Sequence, residues 1–286
     1  MGMLRPRCGL FPTDEVIRRG DSPRMTTALS LLSSALAIRL AALALCVCAA
    51  SAGAQTTTEL PFGPGEKFEY VGRVRSGVAG RGTLRVEGPS ELRGTTTWTL
   101  HSDMEGKLGF LRATDRSASW IDPVRMSSLR YMSRERHLLS KYDEFVDIFA
   151  SEKRWAGQDG VEGALASESP LDELSFLYYL RTLPLVGETT MTVARHFDSA
   201  RNPTVVRVVG REEVEVGAGR FKAVIVEMRV RDARRYRGEG VIRIHLSDDK
   251  CRLILRLESD VPSAGKATLA LASYEGVRWA CMSQLR

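Results

Sequence analysis

The feature that most constrains the fold is a repeated alternation of apolar and polar residues with a period of two. In the clearest segment every second residue from Val224 to Val230 is apolar, while Glu227 and Arg229 between them are charged. The same pattern recurs over the ranges 68–74, 84–87, 97–101, 242–246 and 252–258. Because successive side chains of a strand point to opposite faces, these segments predict strands with one buried and one solvated face.

Turn signals separate these segments at short intervals. Glycines cluster at 77–82 and 217–219, Gly88-Pro89-Ser90 interrupts the chain between two alternating segments, and Ser247-Asp248-Asp249-Lys250 separates two strong ones. Such residues favour hairpin connections, so we expect turns at all four places. Short alternating strands at this spacing predict a sandwich, a barrel or a strongly curved antiparallel sheet.

One segment near the middle of the chain has helical spacing instead. Ser169-Pro170-Leu171-Asp172 resembles a helix start, with Ser169 as the N-cap and Pro170 in the first turn. Apolar residues then recur three and four positions apart until Pro184, which predicts a largely buried helix ending at Thr182 or Leu183. This helix divides the strands into two groups, at about 60–165 and 186–276.

Together these patterns predict a mainly β fold. We expect a large curved antiparallel sheet, half-barrel or barrel-like, with one central packed helix, in a single domain over residues 55–286. No low-complexity linker separates the two groups of strands. Two β-subdomains joined by the helix are the alternative architecture.

Residues 1–54 are predicted to be a targeting segment outside the folded domain. The apolar run from Leu40 to Ala50 follows Arg39 and precedes Ala52-Gly53-Ala54. A basic flank, a short apolar core and small residues at the cleavage site are typical of a secretory signal peptide. We therefore expect cleavage before Gln55 and export to the periplasm.

Two alternatives to a cleaved signal peptide remain open, and the position of the translation start is a separate point. Without Arg39, the stretch 28–54 would be long enough to span a bilayer, which takes about 20 apolar residues, so a membrane anchor is one alternative. A lipoprotein is the other, although Leu45 stands before Cys46 where a lipoprotein signal has Gly or Ala. The polar lead is unusual ahead of a signal peptide, so we expect translation to start at Met25.

The charge balance argues against nucleic acid as a partner. The whole sequence has a formal net charge of +6, but residues 1–54 hold six Arg and only three acidic residues. The remaining 232 residues therefore carry 35 basic and 32 acidic side chains. Nucleic-acid-binding proteins need a concentrated basic surface, and the nearly neutral charge of the predicted exported chain does not indicate one.

Cys251 and Cys281 are the two cysteines of the predicted exported chain. Disulfides persist in oxidising compartments such as the periplasm, so one prediction is a bridge between them. Two separate buried thiols are the other. No C-x-x-C motif is present in the sequence, so redox catalysis is not predicted.

The sequence contains no recognisable catalytic or metal-binding motif. G-x-S-x-G is absent, and the four histidines at 101, 137, 196 and 245 show neither H-x-H nor H-x-x-x-H spacing. The acidic residues Asp143, Glu144 and Asp147 lie in an apolar context and predict a solvated strand edge. We therefore expect no catalytic residues, no metal, no cofactor and no enzymatic activity.

A basic run lies between two predicted strands, at Arg229, Arg231, Arg234, Arg235 and Arg237. One interpretation is a solvated loop. The other is a functional one, in which Arg234, Arg235 and Arg237 contact anionic groups of the envelope such as lipid phosphates.

Four short motifs, taken in order, resemble a known family. They are Gly65-Glu66-Lys67-Phe68-Glu69-Tyr70, the segment 171–181 with Pro184-Leu185 and Gly187, Gly219-Arg220-Phe221-Lys222-Ala223, and Leu246-Ser247-Asp248-Asp249 before Arg252. Over about residues 62–275 the chain resembles the bacterial exported proteins of the "domain of unknown function 3108" family. The resemblance implies an envelope location, a mainly β fold and no enzymatic activity. More remotely, the layout is similar to lipoprotein-carrier half-barrels, in which a curved sheet and a helical lid form an apolar cleft, an analogy of fold alone.

These observations favour a periplasmic, envelope-associated binding protein that holds a lipid or another apolar ligand in a cleft of the curved sheet. We expect the cleft to be lined by Leu174, Leu177 and Tyr178 of the helix and by Val226 and Met228 of a facing strand. Ile244 and Leu255 should pack nearby. The alternative is a non-enzymatic envelope scaffold that binds another envelope protein, and the third possibility is an uncharacterised envelope enzyme.

Overall fold

Fourteen strands form one antiparallel sheet in a computed structural model of the chain. The structure describes residues 60–74, 77–108, 111–137, 140–261 and 265–277. The predicted targeting segment, residues 1–54, lies outside the described residues, as does Cys281. All described residues belong to the compact unit that begins at Thr57.

The strands fall into two groups on either side of a short helix. The first group is β1 (Lys67–Val74), β2 (Gly77–Leu92), β3 (Thr95–Leu108), β4 (Leu111–Asp122), β5 (Ser127–Arg136), β6 (Lys141–Phe149), β7 (Arg154–Gly157) and β8 (Glu162–Ala164). The second group is β9 (Thr190–Val193), β10 (Thr204–Val216), β11 (Gly219–Asp232), β12 (Gly238–Ser247), β13 (Ile254–Val261) and β14 (Gly265–Glu275). Helix α1 (Glu173–Leu180) lies between the groups, and the single-turn helix α2 (Ala233–Tyr236) connects β11 to β12.

Pairing of β1 with β14 joins the two groups into one sheet. Within each group consecutive strands are neighbours, so the order runs from β8 back to β1, then from β14 back to β9. The pairing begins at Lys67 and Glu275 and ends at Val74 and Ala267. The chain thus forms one mainly β, antiparallel sheet with a central helix, which confirms the predicted fold class.

Bulges interrupt the ladders of the sheet. Register shifts occur in β1, β2, β4, β10 and β12, and each bulge bends its strand and increases the local twist. The inward side chains Leu84 of β2, Leu100 of β3, Val226 of β11 and Ile244 of β12 consequently join α1 in one hydrophobic core. The even-numbered residues 224, 226 and 228 point inward, as the period of two predicts.

Two expected turns are parts of a strand. The glycine cluster 77–82 and Gly88-Pro89-Ser90 both belong to β2, and a bulge lies between Glu87 and Ser90. Gly80 explains why glycine is needed inside the strand, since a Cβ there would clash with the carbonyl oxygen of Glu105 on β3. Glycine in a strand therefore marks a close backbone approach here and not a hairpin. The expected turns at 217–219 and 247–250 are confirmed.

No helix in the described part of the chain is long and apolar enough to cross a membrane.

A candidate apolar ligand site beside the central helix

The N-terminus of α1 is fixed by a buried aspartate. Asp172 is the N-cap, and its carboxylate accepts hydrogen bonds from the backbone N–H groups of Leu174 and Ser175 at 2.9 Å. The Ser175 hydroxyl accepts in return from the backbone N–H of Asp172, which completes a capping box. The predicted N-cap Ser169 is therefore wrong, because the box places the cap three residues later.

Two serines of the sheet hold this helix end in place. The hydroxyl of Ser119 in β4 donates to Asp172 at 2.5 Å, and the hydroxyls of Ser128 in β5 and Ser175 lie 2.8 Å apart. Asp172 is completely buried, and this burial raises its pKa although the hydrogen bonds to its carboxylate act in the opposite direction. The first turn of α1 is thus attached to the first group of strands.

The other end of α1 is fixed by a buried arginine. Arg181 is the C-cap, and its guanidinium donates to both carboxylate oxygens of Glu66, at 2.5 and 2.9 Å. Both side chains have at most 1% exposure. Arg181 also donates to the carbonyl oxygens of Pro61 and Cys251, at 3.1 and 3.0 Å. Helix α1 is therefore held at both ends by buried polar contacts, and the helical hydrogen bonding continues as tight turns to Leu183.

A cavity of about 200 Å³ lies between α1 and the second group of strands. One wall is the helix face formed by Glu173, Phe176 and Leu177, which recur at helical spacing. The opposite wall consists of inward side chains of β11, β12 and β13, namely Met228, Val230, Ile242, Ile244 and Leu257. Apart from Glu173, these residues are apolar and make up the greater part of the lining.

The remaining lining of the cavity is polar and lies at one end. It comes from the segment between β9 and β10, the start of β10, the end of β11 and α2, and consists of His196, Arg201, Thr204, Arg231, Asp232, Arg235 and Tyr236, next to Glu173 of α1. The Arg231 side chain is 50% exposed and the Arg235 side chain 37%, so this end faces solvent. An apolar interior with a few polar groups at one end is the usual composition of a small-molecule site.

His196 is held rigidly at the polar end. Its backbone N–H donates to the side-chain oxygen of Asn202 at 2.9 Å, and its carbonyl oxygen accepts from the same amide at 2.8 Å. The backbone N–H of Asp198 donates to Nδ1 of the imidazole at 3.0 Å. Leu171, next to the N-cap of α1, forms a parallel bridge with His196. Burial lowers the pKa of His196, so the ring is neutral near pH 7.

Two of the five residues predicted to line a cleft do so. Leu177 of α1 and Met228 of β11 line the cavity from opposite sides. Leu174, Tyr178 and Val226 instead lie in the packed core, and Tyr178 and Val226 are completely buried. Helix α1 is buried on more than one side, since Ser175 and Phe176 are buried as well as Leu174 and Tyr178, so the predicted face divides between the core and the cavity.

The basic run is folded back onto the sheet and is not an open loop. Both guanidinium nitrogens of Arg234 donate to Glu135 of β5, at 2.6 and 2.8 Å, and Arg235 donates to the same carboxylate at 2.6 Å. Burial would raise the pKa of Glu135, but these hydrogen bonds outweigh it and lower the pKa to about 2. The carboxylate therefore takes the place that an external anion would have. Arg237 is exposed and ends α2 in a left-handed conformation.

Three residues of the described chain could together bind a metal ion. The ligand atoms of Asp115, Glu135 and His137 all lie within 4.8 Å of one another. Glu135 is already bound by Arg234 and Arg235, and His137 Nε2 lies 2.7 Å from a carboxylate oxygen of Asp115. These contacts occupy the donor atoms, so we assign no metal to the group.

Cys251 is completely buried and is disulfide-bonded. Its predicted partner, Cys281, lies outside the described residues, so the pairing of the two cysteines stays a prediction.

The polar end of the cavity was missed from the sequence. His196, Glu173 and Arg201 meet there although no motif connects them. Asp198, Ser199 and Asn202 around His196 are typical turn residues, which could have indicated a structured loop. The position of this loop over the cavity depends on the pairing of β9 with β10 and on the bridge between His196 and Leu171. No local sequence pattern indicates either contact.

The chain belongs to the family described as "Protein of unknown function (DUF3108)", which matches residues 70–272. This confirms the resemblance seen in the sequence motifs. Among curated proteins, none matches this chain.

Three solved structures are similar to the chain at low identity. One is a β-barrel-like protein of domain of unknown function DUF1849 from Brucella abortus, with 10% identity, a TM-score of 0.49 and coverage of 73% of this chain and 96% of that one. A candidate lipoprotein from Parabacteroides distasonis has 9% identity, a TM-score of 0.30 and coverage of 76% and 98%. A candidate exported protein with a YmcC-like fold from Bacteroides fragilis has 12% identity, a TM-score of 0.29 and coverage of 75% and 98%.

Proposed function

We propose that this protein is a non-enzymatic, periplasmic binding protein of the cell envelope that holds an apolar ligand in the cavity beside α1. The observation that carries the proposal is the apolar cavity itself, which separates Phe176 and Leu177 from Met228 and Ile244. The cavity has a volume of about 200 Å³ and opens to solvent at its polar end, and a mostly apolar recess with a few polar groups is typical of small-molecule sites.

The size of the cavity limits the ligand. Typical small-molecule sites measure about 300–1,000 Å³, whereas this one measures about 200 Å³. The cavity therefore suits a single short apolar chain, or the end of a longer one, and not a complete two-chain lipid.

The attachment of α1 favours a fixed wall over a mobile lid. Both ends of the helix are tied by buried polar contacts, through Asp172 to Ser119 and through Arg181 to Glu66. The ligand would enter from the polar end, past Arg231 and Arg235, and not by displacement of the helix.

Export supports the envelope location. The predicted signal peptide implies that the purified protein begins at Gln55, or nearby at Gly53. N-terminal sequencing of protein recovered from the periplasm tests this. A protein that retains Met1 or Met25 would exclude cleavage and leave the membrane-anchor alternative.

An envelope scaffold is less well supported. It would use the sheet edges or the basic run to hold a partner. The edge strands β8 and β9 have only three and four residues, and Arg234 and Arg235 are bound to Glu135. Short edge strands are a common way to prevent strand addition.

Native mass spectrometry tests the proposed function directly. Protein purified from its own envelope without detergent should carry a small apolar ligand, and Leu177→Trp, which fills the cavity, should lose it. Tyr179→Trp is the matched control, because Tyr179 lies on the same helix, is half-buried and does not line the cavity. A folded wild-type protein that retains no ligand and takes up none from added 1-nonanol would overturn the proposal.

A further inference from the structure

We propose that the cavity selects apolar ligands that end in a hydroxyl group, with His196 and Glu173 as the residues that bind this group. This inference rests on the proposed function and assigns its ligand class. Both residues line the polar end of the same cavity.

His196 presents one unused hydrogen-bond donor. The imidazole Nδ1 accepts a hydrogen bond from the backbone N–H of Asp198, so a neutral ring carries its proton on Nε2. His196 has only 6% exposure, and no protein group in the described residues hydrogen-bonds Nε2. The nearest carboxylate oxygen, Glu173 Oε1, is 3.6 Å away, which is too far for a hydrogen bond.

Glu173 presents the matching acceptor. Its Oε1 is bound by the guanidinium of Arg201, whereas its Oε2 is buried without a hydrogen-bond partner among the described residues. A buried polar atom without a partner is unfavourable, so a ligand group that pairs with both atoms would be stabilised here.

A hydroxyl group satisfies both atoms at once. Its oxygen can accept from His196 Nε2–H while its proton is donated to Glu173 Oε2. An ether can accept but cannot donate, and an ionised carboxylate has no proton to give to Glu173. The arrangement of one donor beside one acceptor, at the end of an apolar wall, therefore favours an alcohol over either of them.

Isothermal titration calorimetry of the purified protein at pH 7.5 separates these ligands. The probes are 1-nonanol, its isomer octyl methyl ether, and nonanoate. We expect 1-nonanol to bind at least about tenfold more tightly than the other two, because a site with unpaired polar groups rejects a ligand that cannot satisfy them. The isomers contain the same atoms, so the difference between them reports the hydroxyl alone.

Variants test whether His196 causes the preference for 1-nonanol over the ether. His196→Phe keeps a planar ring and removes the hydrogen-bond donor. It should weaken the binding of 1-nonanol by about tenfold and leave the affinity for the ether unchanged. The matched control is His245→Phe, because His245 is also buried but lies in β12 beside Ile244 and points to the opposite face. The wild-type comparison decides the matter even if a variant does not fold.

The outcomes keep the two proposals apart. Equal binding of all three probes to the wild-type protein would overturn the hydroxyl selectivity and leave the apolar cavity as a binding site. Tighter binding of 1-nonanol that is unaffected by His196→Phe would overturn the assignment of the donor. Failure of every probe to bind would overturn the proposed function itself.

Discussion

Glu66 and Arg181 are 115 residues apart in the sequence and form a bidentate salt bridge in which both side chains are buried. The bridge joins the segment before β1 to the end of α1. Arg181 also contacts the carbonyl oxygen of Cys251 after β12. Two of the motifs that carry the family resemblance, 65–70 and 171–181, therefore meet at one buried point, and Cys251 lies two residues after a third, so we interpret these contacts as structural.

Removal of one partner of this bridge should destabilise the protein strongly. Arg181→Met leaves the Glu66 carboxylate buried without its cation, and Glu66→Gln leaves the guanidinium without its anion. Breaking a buried pair costs about 3–5 kcal/mol, so we expect a loss of that size in the free energy of unfolding measured in urea. The double variant Glu66→Gln/Arg181→Met should lose less than the sum of the two. Single variants as stable as the wild-type protein would contradict the structural role.

Local patterns in the sequence could predict the strands and their faces but not this bridge. Alternation correctly indicates that Val226 and Met228 point inward, because side-chain direction depends only on the period of the strand. The contacts of Glu66 with Arg181 and of Glu135 with Arg234 depend on which distant segments pair. The pairing of β1 with β14 and the direction of curling are tertiary properties that no short segment contains.

In the candidate site, too, local patterns predicted some features, whereas others depend on contacts between distant segments. Leu177 and Met228 were predicted to line a cleft because both are apolar residues on elements expected to face each other. The position of Leu174 in the packed core could not be derived, since the orientation of α1 depends on contacts between distant elements, such as the hydrogen bond from Ser119 to Asp172.

Truncations on the two sides of α1 should have unequal costs. Leu174 has 6% exposure and lies in the packed core, so Leu174→Ala should lower the free energy of unfolding by about 2–5 kcal/mol. Leu177 is half-buried and already borders a cavity, so Leu177→Ala should cost less than half of that. Urea melts of both variants measure the difference. A larger loss for Leu177→Ala would show that the cavity is closed in solution.

Acid should weaken the attachment of α2 to the sheet. The pKa of Glu135 is about 2 in the folded protein, whereas an unperturbed glutamate titrates near about 4.3. A depressed folded-state pKa adds stability above the unfolded value, and this stability is lost as the pH falls from about 4.3 towards 2. The contribution is on the order of 2 kcal/mol after allowance for solvent screening.

Glu135→Gln should therefore lower stability at pH 7 and flatten the dependence of unfolding free energy on pH below about 4.5. Urea melts between pH 7 and pH 2.5 measure this. The exposed Glu91 of β2 provides the control, as Glu91→Gln. Parallel pH curves for Glu135→Gln and the wild-type protein would contradict the role of Arg234 and Arg235 as its partners.

Cys251 should be paired with Cys281. Peptide mapping under non-reducing conditions should find the two cysteines in one cross-linked peptide pair. The closed loop of about 30 residues implies a stabilisation of roughly 3–4 kcal/mol in the chain-entropy model, so reduction should lower the free energy of unfolding by a similar amount. Two thiols that react with a labelling reagent in denaturant without prior reduction would refute the bridge.

The central claim is that the cavity beside α1 holds an apolar ligand, and a crystal structure of the protein grown with 1-nonanol tests it most directly. We predict electron density for the chain between Leu177 and Ile244, with the hydroxyl oxygen within 3.2 Å of His196 Nε2, the upper limit for such a hydrogen bond. A cavity that collapses around its own side chains, or one that stays empty in crystals that hold 1-nonanol elsewhere, would contradict the claim.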